Sequence, residues 1–513
     1  MKLTDREWRE ATDLRPSTLG LVLVLLAAAL LRFWALGQGI PFAIGVDEPE
    51  IMDRAVVMMK SGDYNPRFFD YPSFYIYLQM GVAVVRYVIG AMSAQWTSLA
   101  QVRTADFYLW GRALTAIFGV ATVWLIFQAG LRWGARHALL AAALLAVMPM
   151  HVRESHYVLT DVPLTFFVTA AFLLSLRANE HGTAGAFAWA GAAAGLAAAT
   201  KYNGVFSLIF PLLACWMTAP VRPSRAIAAA AAVGTFVVTY LIGAPYTLLD
   251  LPAFLNGFGH LSSLYHSNPA LPESAYVIYM KHLRINFGWP ALVLAVAGMI
   301  MGLIRIARGP GRVRWALAVT FCLVYFWFIS RQNIVFGRYL LPIVPLVALL
   351  IAAAVVSGVS LLRRYEIPRM ARSVLIIGLT VAALLPPSVQ AINWDRDAAK
   401  VSTVSLAYDW FVAHVPPGSK VTVETRNLLL PAQYRSENVA QLRAKSYDEY
   451  VADGVDYLIA SSQSYGPYLT SPASFAREYA EYGRIFAQSR EVAHFAPSNE
   501  HPGPELRILK VKP

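Results

Sequence analysis

The sequence predicts a polytopic α-helical membrane protein of about eleven spans, give or take one or two, followed by a soluble α/β domain. Three observations predict it. Hydrophobic residues fill 57% of the 513 positions and charged residues only 14%, too apolar for an ordinary soluble domain. Apolar runs approaching the roughly twenty residues of a spanning helix recur along the chain. That pattern stops near Asn393, where Pro, Ser and charged residues return over a stretch of about a hundred residues, long enough to form its own core.

The first run, Leu19 to Leu36, follows a basic segment carrying Lys2, Arg6, Arg9 and Arg15. It has the flank of a signal peptide but no small-x-small cleavage site, and its length suits an uncleaved helix. Gly37 to Asp106 then holds two features: the polar stretch Gly45 to Glu50, which reads G-V-D-E-P-E, and the semi-apolar segment Tyr71 to Met92 with Arg86 inside it. Ten more runs follow: Phe107–Leu131, Ala138–Met150, Val162–Leu176, Ala184–Ala199, Val205–Met217, Ile227–Ile242, Trp289–Ile304, Trp315–Ile329, Tyr339–Val359 and Val374–Pro386.

The links between runs alternate in basicity. With the N-terminus inside and Tyr71 to Met92 kept as a juxtamembrane or re-entrant helix, the links Arg132–His137, Arg177–Gly185, Arg222–Arg225, Arg305–Arg314 and Arg363–Arg372 all fall inside, as the positive-inside rule asks. Counting Tyr71 to Met92 as a span reverses every one of them. The chosen parity places Gly45–Glu50, His151–Asp161, the Lys201 turn, Ala244–Gly288, Ser330–Arg338 and the C-terminal domain on the non-cytoplasmic face. It also accounts for the net charge of +12: the arginines sit in short links rather than along one face, which argues against nucleic acid as a partner. Cys215 and Cys322 both lie within apolar runs, so neither a disulfide framework nor a thiolate metal site is indicated.

The division read from the sequence is therefore a membrane module over 1–392, with juxtamembrane helices in 37–106, and a domain over 393–513. In the latter, strands are expected at Val421–Thr425, Tyr457–Ser461 and Leu506–Val511, with helices near Ser405–His414, Tyr447–Asp453 and Ser474–Tyr482. It carries no phosphate loop and no nucleophile motif.

Four places carry candidate chemistry. Asp47 and Glu48 stand side by side beyond the first run, and a carboxylate there is able to accept a proton from an attacking hydroxyl. The same residues also suit a helix start, with Asp47 as N-cap, Pro49 in the first turn, Glu50 third and Gly62 as stop. His151 to Asp161, H-V-R-E-S-H-Y-V-L-T-D, gathers groups that ionise or hydrogen-bond, among them His151, His156, Tyr157 and Asp161. No pair there has a recognised metal-ligand spacing, and an interfacial turn with Asp161 capping the next span is the plain alternative. Lys201, in A-T-K-Y-N-G beside Tyr202, lies at membrane depth, where a cation either snorkels or faces a partner. Arg338, in F-G-R-Y-L-L-P-I-V-P beside Tyr339, runs against the positive-inside trend, and Arg331 stands nearby. Such cations suit a lipid phosphate, Arg as a fork and Lys as a point charge, or else serve as interface anchors.

Taken in order, the D-E pair after the first helix, Y-P-S-F-Y beginning at Tyr71, the Asp161 turn, T-K-Y-N-G and R-Y-L-L-P-I-V-P resemble the GT-C glycosyltransferases. The likeness is to family 39, the protein O-mannosyltransferases and their bacterial relatives, together with the aminoarabinose transferases. It covers Leu19 to about Pro387 in architecture. The resemblance implies a GT-C-like membrane enzyme that moves a hexosyl or pentosyl unit from a polyprenyl-phosphate sugar to an acceptor hydroxyl, with inversion. It implies Asp47 as the base, Glu48 as its neighbour, Asp161 as a second acid, and Lys201, Arg338 and Arg331 on the donor phosphate. Tyr71, His151, His156, Tyr157, Tyr202 and Tyr339 are candidates for the donor and acceptor pocket.

A divalent metal is left open, with Asp47, Glu48, Asp161 and His156 as its candidate ligands, and no other cofactor is called for. The partners implied are the lipid-linked donor, membrane lipids and an acceptor that is a glycolipid, polysaccharide or protein. Ser73, where the family has a second proline, and the lack of a large lumenal insertion both count against a protein acceptor. Placement in a bacterial inner membrane, with the site and C-terminal domain periplasmic, fits the short loops. The rival reading is a transporter or flippase of a lipid-linked sugar. It would use the same cations but no base, and would be expected to show inverted repeats with broken helices, which the sequence lacks.

Overall fold

Each apolar run read from the sequence is helical in the computed structural model, because within a bilayer a helix satisfies every backbone polar group inside its own segment. The structure describes residues 18–40, 45, 47–267, 273–309, 311–361, 365, 367–424 and 428–511. Lys2, Arg6, Arg9, Arg15, Val46, Arg363 and Thr425 of the sequence reading lie outside the described residues. Chain contacts divide the protein into two units. One comprises Met1–Trp34, Glu50–Val102 and Trp110–Asn393; the other comprises Ala35–Pro49, Arg103–Leu109 and Trp394–Pro513. The two short segments of the second unit are ones that the sequence reading had assigned to the membrane module.

The helices run α1 (Thr18–Phe33), α2 (Glu48–Ser61), α3 (Phe74–Met92), α4 (Tyr108–Gly130), α5 (Ala135–Ala146), α6 (Pro149–Glu154), α7 (Asp161–His181), α8 (Ala184–Thr200), α9 (Ile209–Met217), α10 (Arg225–Gly243), α11 (Leu251–Ser267), α12 (Ala275–Arg308), α13 (Arg312–Ile329), α14 (Val344–Leu361) and α15 (Arg369–Ala398). Among the described residues, eight helical stretches are long and apolar enough to cross a membrane, and four shorter apolar helices accompany them. The sequence reading left Tyr71 to Met92 out of its span count. As a continuous helix, α3 passes the same length and hydropathy test as the others. Its Arg86 donates to Gln95 Oε1 at 2.7 Å and lies 4.4 Å over the Trp96 ring, so the cation inside the apolar run is satisfied.

In the first unit, α14 is buried on almost every side and α7 on most, while α10, α12 and α15 turn most of their apolar side chains outward. Helices apolar all round belong either to the centre of a bundle or to its lipid face. Small residues set how closely α8 approaches α10. A Cβ added at Gly191 would meet the Ala232 backbone, and one at Gly195 would meet Phe236 O and Thr239 Oγ1. Thr235 and Thr239 use that proximity, donating to Ala188 O at 2.7 Å and Ala192 O at 3.0 Å. At one end of α5, the fully buried Arg32 of α1 donates to Ala146 O at 2.9 Å and Leu145 O at 3.1 Å, closing carbonyls the helix leaves open. α12 breaks at Gly288, whose φ of +70° suits glycine, two residues ahead of Pro290.

The second unit is built on a five-stranded sheet, with β1 (Lys420–Val423), β2 (Arg435–Asn438), β3 (Tyr457–Ser461), β4 (Arg490–Phe495) and β5 (Leu506–Lys510) in the order β2-β1-β3-β5-β4. β2, β1 and β3 are parallel, and β5 and β4 complete the sheet antiparallel. The pleat sorts its side chains: Ile459, Leu506 and Ile508 pack with Ala407 and Phe411 of α16 (Thr403–His414), while Leu458, Ala460 and Leu509 pack with Tyr450, Tyr482 and Ile485. Tyr450 belongs to α17 (Tyr447–Ala452), and Tyr482 and Ile485 to α19 (Ala476–Gln488); α18 (Ser462–Thr470) lies between them in sequence. The three expected strands and three expected helices are present with end shifts; β2, β4 and α18 were not expected.

Candidate functional site

The site is organised by three residues, each standing where a regular helix begins or ends. Asp161 opens α7, with Thr160 at the N-cap position making no side-chain cap. Lys201 ends α8 in extended backbone, φ −155° and ψ 137°, before a 3₁₀ turn at Tyr202–Leu208. Arg338 lies in the 3₁₀ turn Gly337–Ile343 that leads into α14. Irregular backbone at these points lets long side chains turn inward rather than along a helix surface. Asp161 is not the cap that the plain reading made it.

Asp161 Oδ1 accepts from Lys201 Nζ at 2.7 Å, and Oδ2 lies 3.5 Å from Arg338 Nε. Asp161 and Lys201 are only 2% and 8% exposed, so this is a buried pair and not a snorkelling lysine. Aromatic rings close over the cations: Lys201 Nζ sits 4.5 Å from the Tyr339 ring centre and 5.6 Å from that of Tyr71, and Arg338 lies 4.5 Å over Phe336. Tyr339 and Tyr265 share a hydroxyl hydrogen bond of 2.8 Å. Behind them, Asn203 donates to the buried Tyr325 hydroxyl at 2.6 Å. Lys201 and Arg338 both turn toward one place beside Asp161, an arrangement suited to an anion with several acceptor oxygens.

The other sequence candidates separate from this cluster. Arg331 is exposed and lies 5.5 Å over Trp327. His151 is fully buried in α6, where its Nδ1 accepts from Arg32 at 3.0 Å, and burial with the neighbouring guanidinium holds it neutral in that role. Both ring nitrogens of His156 face carbonyls, Val152 O at 2.9 Å and Trp34 O at 2.8 Å. Tyr157 lies under Arg112, 5.5 Å from its guanidinium. Tyr202 donates to Phe69 O at 2.8 Å, tying the turn after Lys201 to the segment before Tyr71.

Asp47 and Glu48 belong to the second unit. Asp47 is half-buried immediately ahead of α2, with Pro49 and Glu50 in the first turn and Gly62, φ +71°, just past its end. Glu48 is fully buried, and its Oε2 accepts from the Gly45 N–H at 2.6 Å. Glu50 does not complete a capping box but pairs with Arg54 at 2.7 Å.

Among the described residues, no three His, Cys, Asp or Glu side chains converge to hold a metal ion. Of the ligands named from sequence, His156 is engaged with carbonyls and Asp161 with cations, so those two do not fit a metal site as they stand. Sequence reasoning did not single out Tyr265, Asn203 or Tyr325. Tyr265 reaches Tyr339 across 74 residues, and no local pattern signals that.

Residues 71–260 match the family model described as dolichyl-phosphate-mannose-protein mannosyltransferase. No curated protein is significantly similar to the chain. Among solved structures, the chain is similar to the oligosaccharyltransferase of Archaeoglobus fulgidus in its apo form, with a TM-score of 0.56 at 13% identity over 96% of this chain and 76% of that one. It is also similar to ArnT from Cupriavidus metallidurans bound to undecaprenyl phosphate, with a TM-score of 0.56 at 16% identity over 96% of this chain and 98% of that one. The oligosaccharyltransferase AglB from Archaeoglobus fulgidus, in complex with an inhibitory peptide and a dolichol-phosphate, matches with a TM-score of 0.56 at 13% identity over 98% of this chain and 74% of that one. The chain has the GT-C fold these proteins share.

Proposed function

We propose that the chain is an inverting glycosyltransferase, moving a sugar from a polyprenyl-phosphate donor to an acceptor hydroxyl on the periplasmic face of a bacterial inner membrane. One observation carries this reading: the buried arrangement of Asp161 with Lys201 and Arg338, set in a GT-C fold. The donor is a phosphodiester with one negative charge, and the departing polyprenyl phosphate is a monoester that gains a second. Lys201 and Arg338 are poised to take up that added charge, so they favour the transition state over the ground state. Asp161 keeps both cations ordered before the lipid arrives, and sharing them with phosphate loosens its own pair.

The acceptor oxygen attacks the anomeric carbon as the bond to the phosphate oxygen breaks, and its electron pair leaves with the lipid. Attack from the opposite side inverts the centre. Asp47 takes the proton of the attacking hydroxyl, and Glu48, fixed through the Gly45 N–H, shapes the turn that presents it. The undecaprenyl phosphate of ArnT and the dolichol-phosphate of AglB support a lipid-phosphate donor for this chain.

The test is release of labelled sugar from a panel of polyprenyl-phosphate sugars by membranes carrying the wild type or Asp47→Asn at matched insertion. Transfer present in the first and absent in the second supports the reading. Donor that is bound by both and consumed by neither, with acceptor-containing membranes supplied, moves the transporter reading ahead.

A further inference from the structure

A cavity of about 590 Å³ lies beside the Lys201 cluster in the first unit, between the segment before α3 and the start of α11. Its size falls among small-ligand sites, which run from roughly 300 to 1,000 Å³. Its polar wall is made by Asn65, Arg67, Asp70, Asp250 and Asn256, and Phe68, whose ring carries the Arg54 guanidinium at 3.9 Å, also lines it.

The chemistry of that wall is specific. Asp70 is half-buried and, among the described residues, makes no hydrogen bond or ion pair; burial pushes its carboxyl up from the usual range. Asp250 Oδ2 accepts from Asn65 Nδ2 at 2.8 Å, and among the described residues neither Asp250 Oδ1 nor the Asn256 amide has a hydrogen-bond partner. Arg67 is already paired with Asp63 at 2.9 Å. The wall thus offers the acceptor oxygens of Asp70 and Asp250, with Arg67 held by Asp63 and with His260 and Arg54 as the cations facing Asp70, and it suits a neutral ligand rich in hydroxyl donors.

The cavity also stands in the right place. Asp70 lines it, and the next residue, Tyr71, puts its ring 5.6 Å from Lys201 Nζ. Consecutive Cα atoms lie about 3.8 Å apart, so the two sites are neighbours along one strip of chain. The strip is pinned where Tyr202, adjacent to Lys201, donates to Phe69 O. Gly257 allows the close packing, since a Cβ there would meet Phe69 Cβ at 2.8 Å.

We infer that this cavity is the acceptor subsite and that it binds a neutral saccharide, which makes the acceptor a glycan; the inference rests on the glycosyltransferase reading above. The test uses full-length protein in lipid nanodiscs without donor. Saturation-transfer NMR is recorded with mannobiose, cellobiose, galactobiose, arabinobiose and a Ser/Thr-containing peptide, and binding of undecaprenyl phosphate is measured on the same samples. The wild type is expected to saturate at least one disaccharide. Asp70→Ala and Asn256→Trp, the second filling the cavity from an exposed position, are each expected to weaken it by about ten-fold or more, the loss that one or two hydrogen bonds bring. Undecaprenyl phosphate binding stays unchanged in both. Saturation of the peptide alone, of no disaccharide, or of disaccharides equally in all three proteins overturns the inference. A wild type that binds a disaccharide but not undecaprenyl phosphate sustains the cavity's role and overturns the donor reading instead.

Discussion

Asp161 and Lys201 meet at 2.7 Å although forty residues and the length of two helices separate them in sequence, and both are almost sealed from solvent. That contact joins the start of α7 to the end of α8, and Arg338 brings the turn ahead of α14 to the same carboxylate.

A double-mutant cycle on this pair is expected to show strong coupling. Asp161→Asn alone takes the carboxylate from buried Lys201 and half-buried Arg338, a loss of about 3–5 kcal/mol for a broken buried pair. In the Lys201→Met background the same change is expected to cost less, with a coupling of about 1–3 kcal/mol. Thermal unfolding of the detergent-solubilised protein measures it. Additive effects of the two changes would mean the contact carries no energy.

The ring and the hydroxyl of Tyr339 make separable contributions. Tyr339→Phe deletes the 2.8 Å bond to Tyr265 but keeps the ring 4.5 Å from Lys201 Nζ. It is expected to cost about 0.5–1.5 kcal/mol of stability and to change donor KM little. Tyr339→Leu removes the ring as well, and donor affinity is expected to fall by a further ten-fold or so, as for a desolvated cation–π contact of about 1–2 kcal/mol. Donor titrations of the two variants separate these effects; equal affinities would remove the ring from the site.

Close approach of α8 to α10 governs where Lys201 ends up, because Lys201 terminates α8. Gly195→Val places a side chain against Phe236 O and Thr239 Oγ1, whereas Gly234 of α10 has open space around it. The first change is expected to cost about 1–3 kcal/mol or more, as overpacking does, and to reduce transfer. Gly234→Ala is expected to leave both unaltered. Thermostability and labelled-sugar transfer, measured on matched preparations, check the contrast.

How much of this was legible in the sequence follows from what each feature depends on. Helices such as α7, α10 and α13 announce themselves because apolar length is a local property. Lys201 and Arg338 stood out because cations at such positions break a local rule, yet nothing local said that Asp161 would join them. The ambiguity of Asp161 was chemical: an Asp ahead of an apolar run reads as a cap, and only the fold supplies cations in its place. Tyr265 follows Leu251, Phe254, Leu255, Phe258 and Leu261 at helical spacing, a local signal for α11 that the sequence reading passed over, and that spacing says nothing of the meeting with Tyr339. β2 was missed for a related reason. Its residues, Arg-Ser-Glu-Asn, are all exposed on the sheet edge, and an edge strand needs no apolar alternation.

The second unit has its own buried carboxylate, and its surroundings make the last prediction. Glu424 follows β1 directly; its Oε1 accepts from the Leu442 N–H at 2.8 Å and from the Tyr482 hydroxyl, and its Oε2 from the Ser461 N–H at 2.8 Å. All three contacts are donors, so Glu424→Gln must turn an amide N–H2 toward one of them. The expected cost is about 1–3 kcal/mol, that of a buried donor left unsatisfied. Burial is the largest influence on the carboxyl and pushes it above its ordinary value of 4.5, outweighing the three donors. The native state therefore holds this proton to higher pH than the unfolded chain does. From that residue the domain loses stability as pH rises from 4.5 through the raised value, and the Gln variant lacks this slope. Hydrogen exchange of the β1 and β3 amides in the full-length chain, followed across that window for both proteins, reads the cost and the slope together. A wild type as flat with pH as the variant would show that burial and the three donors offset each other, and stability that rises with pH would show that the donors prevail.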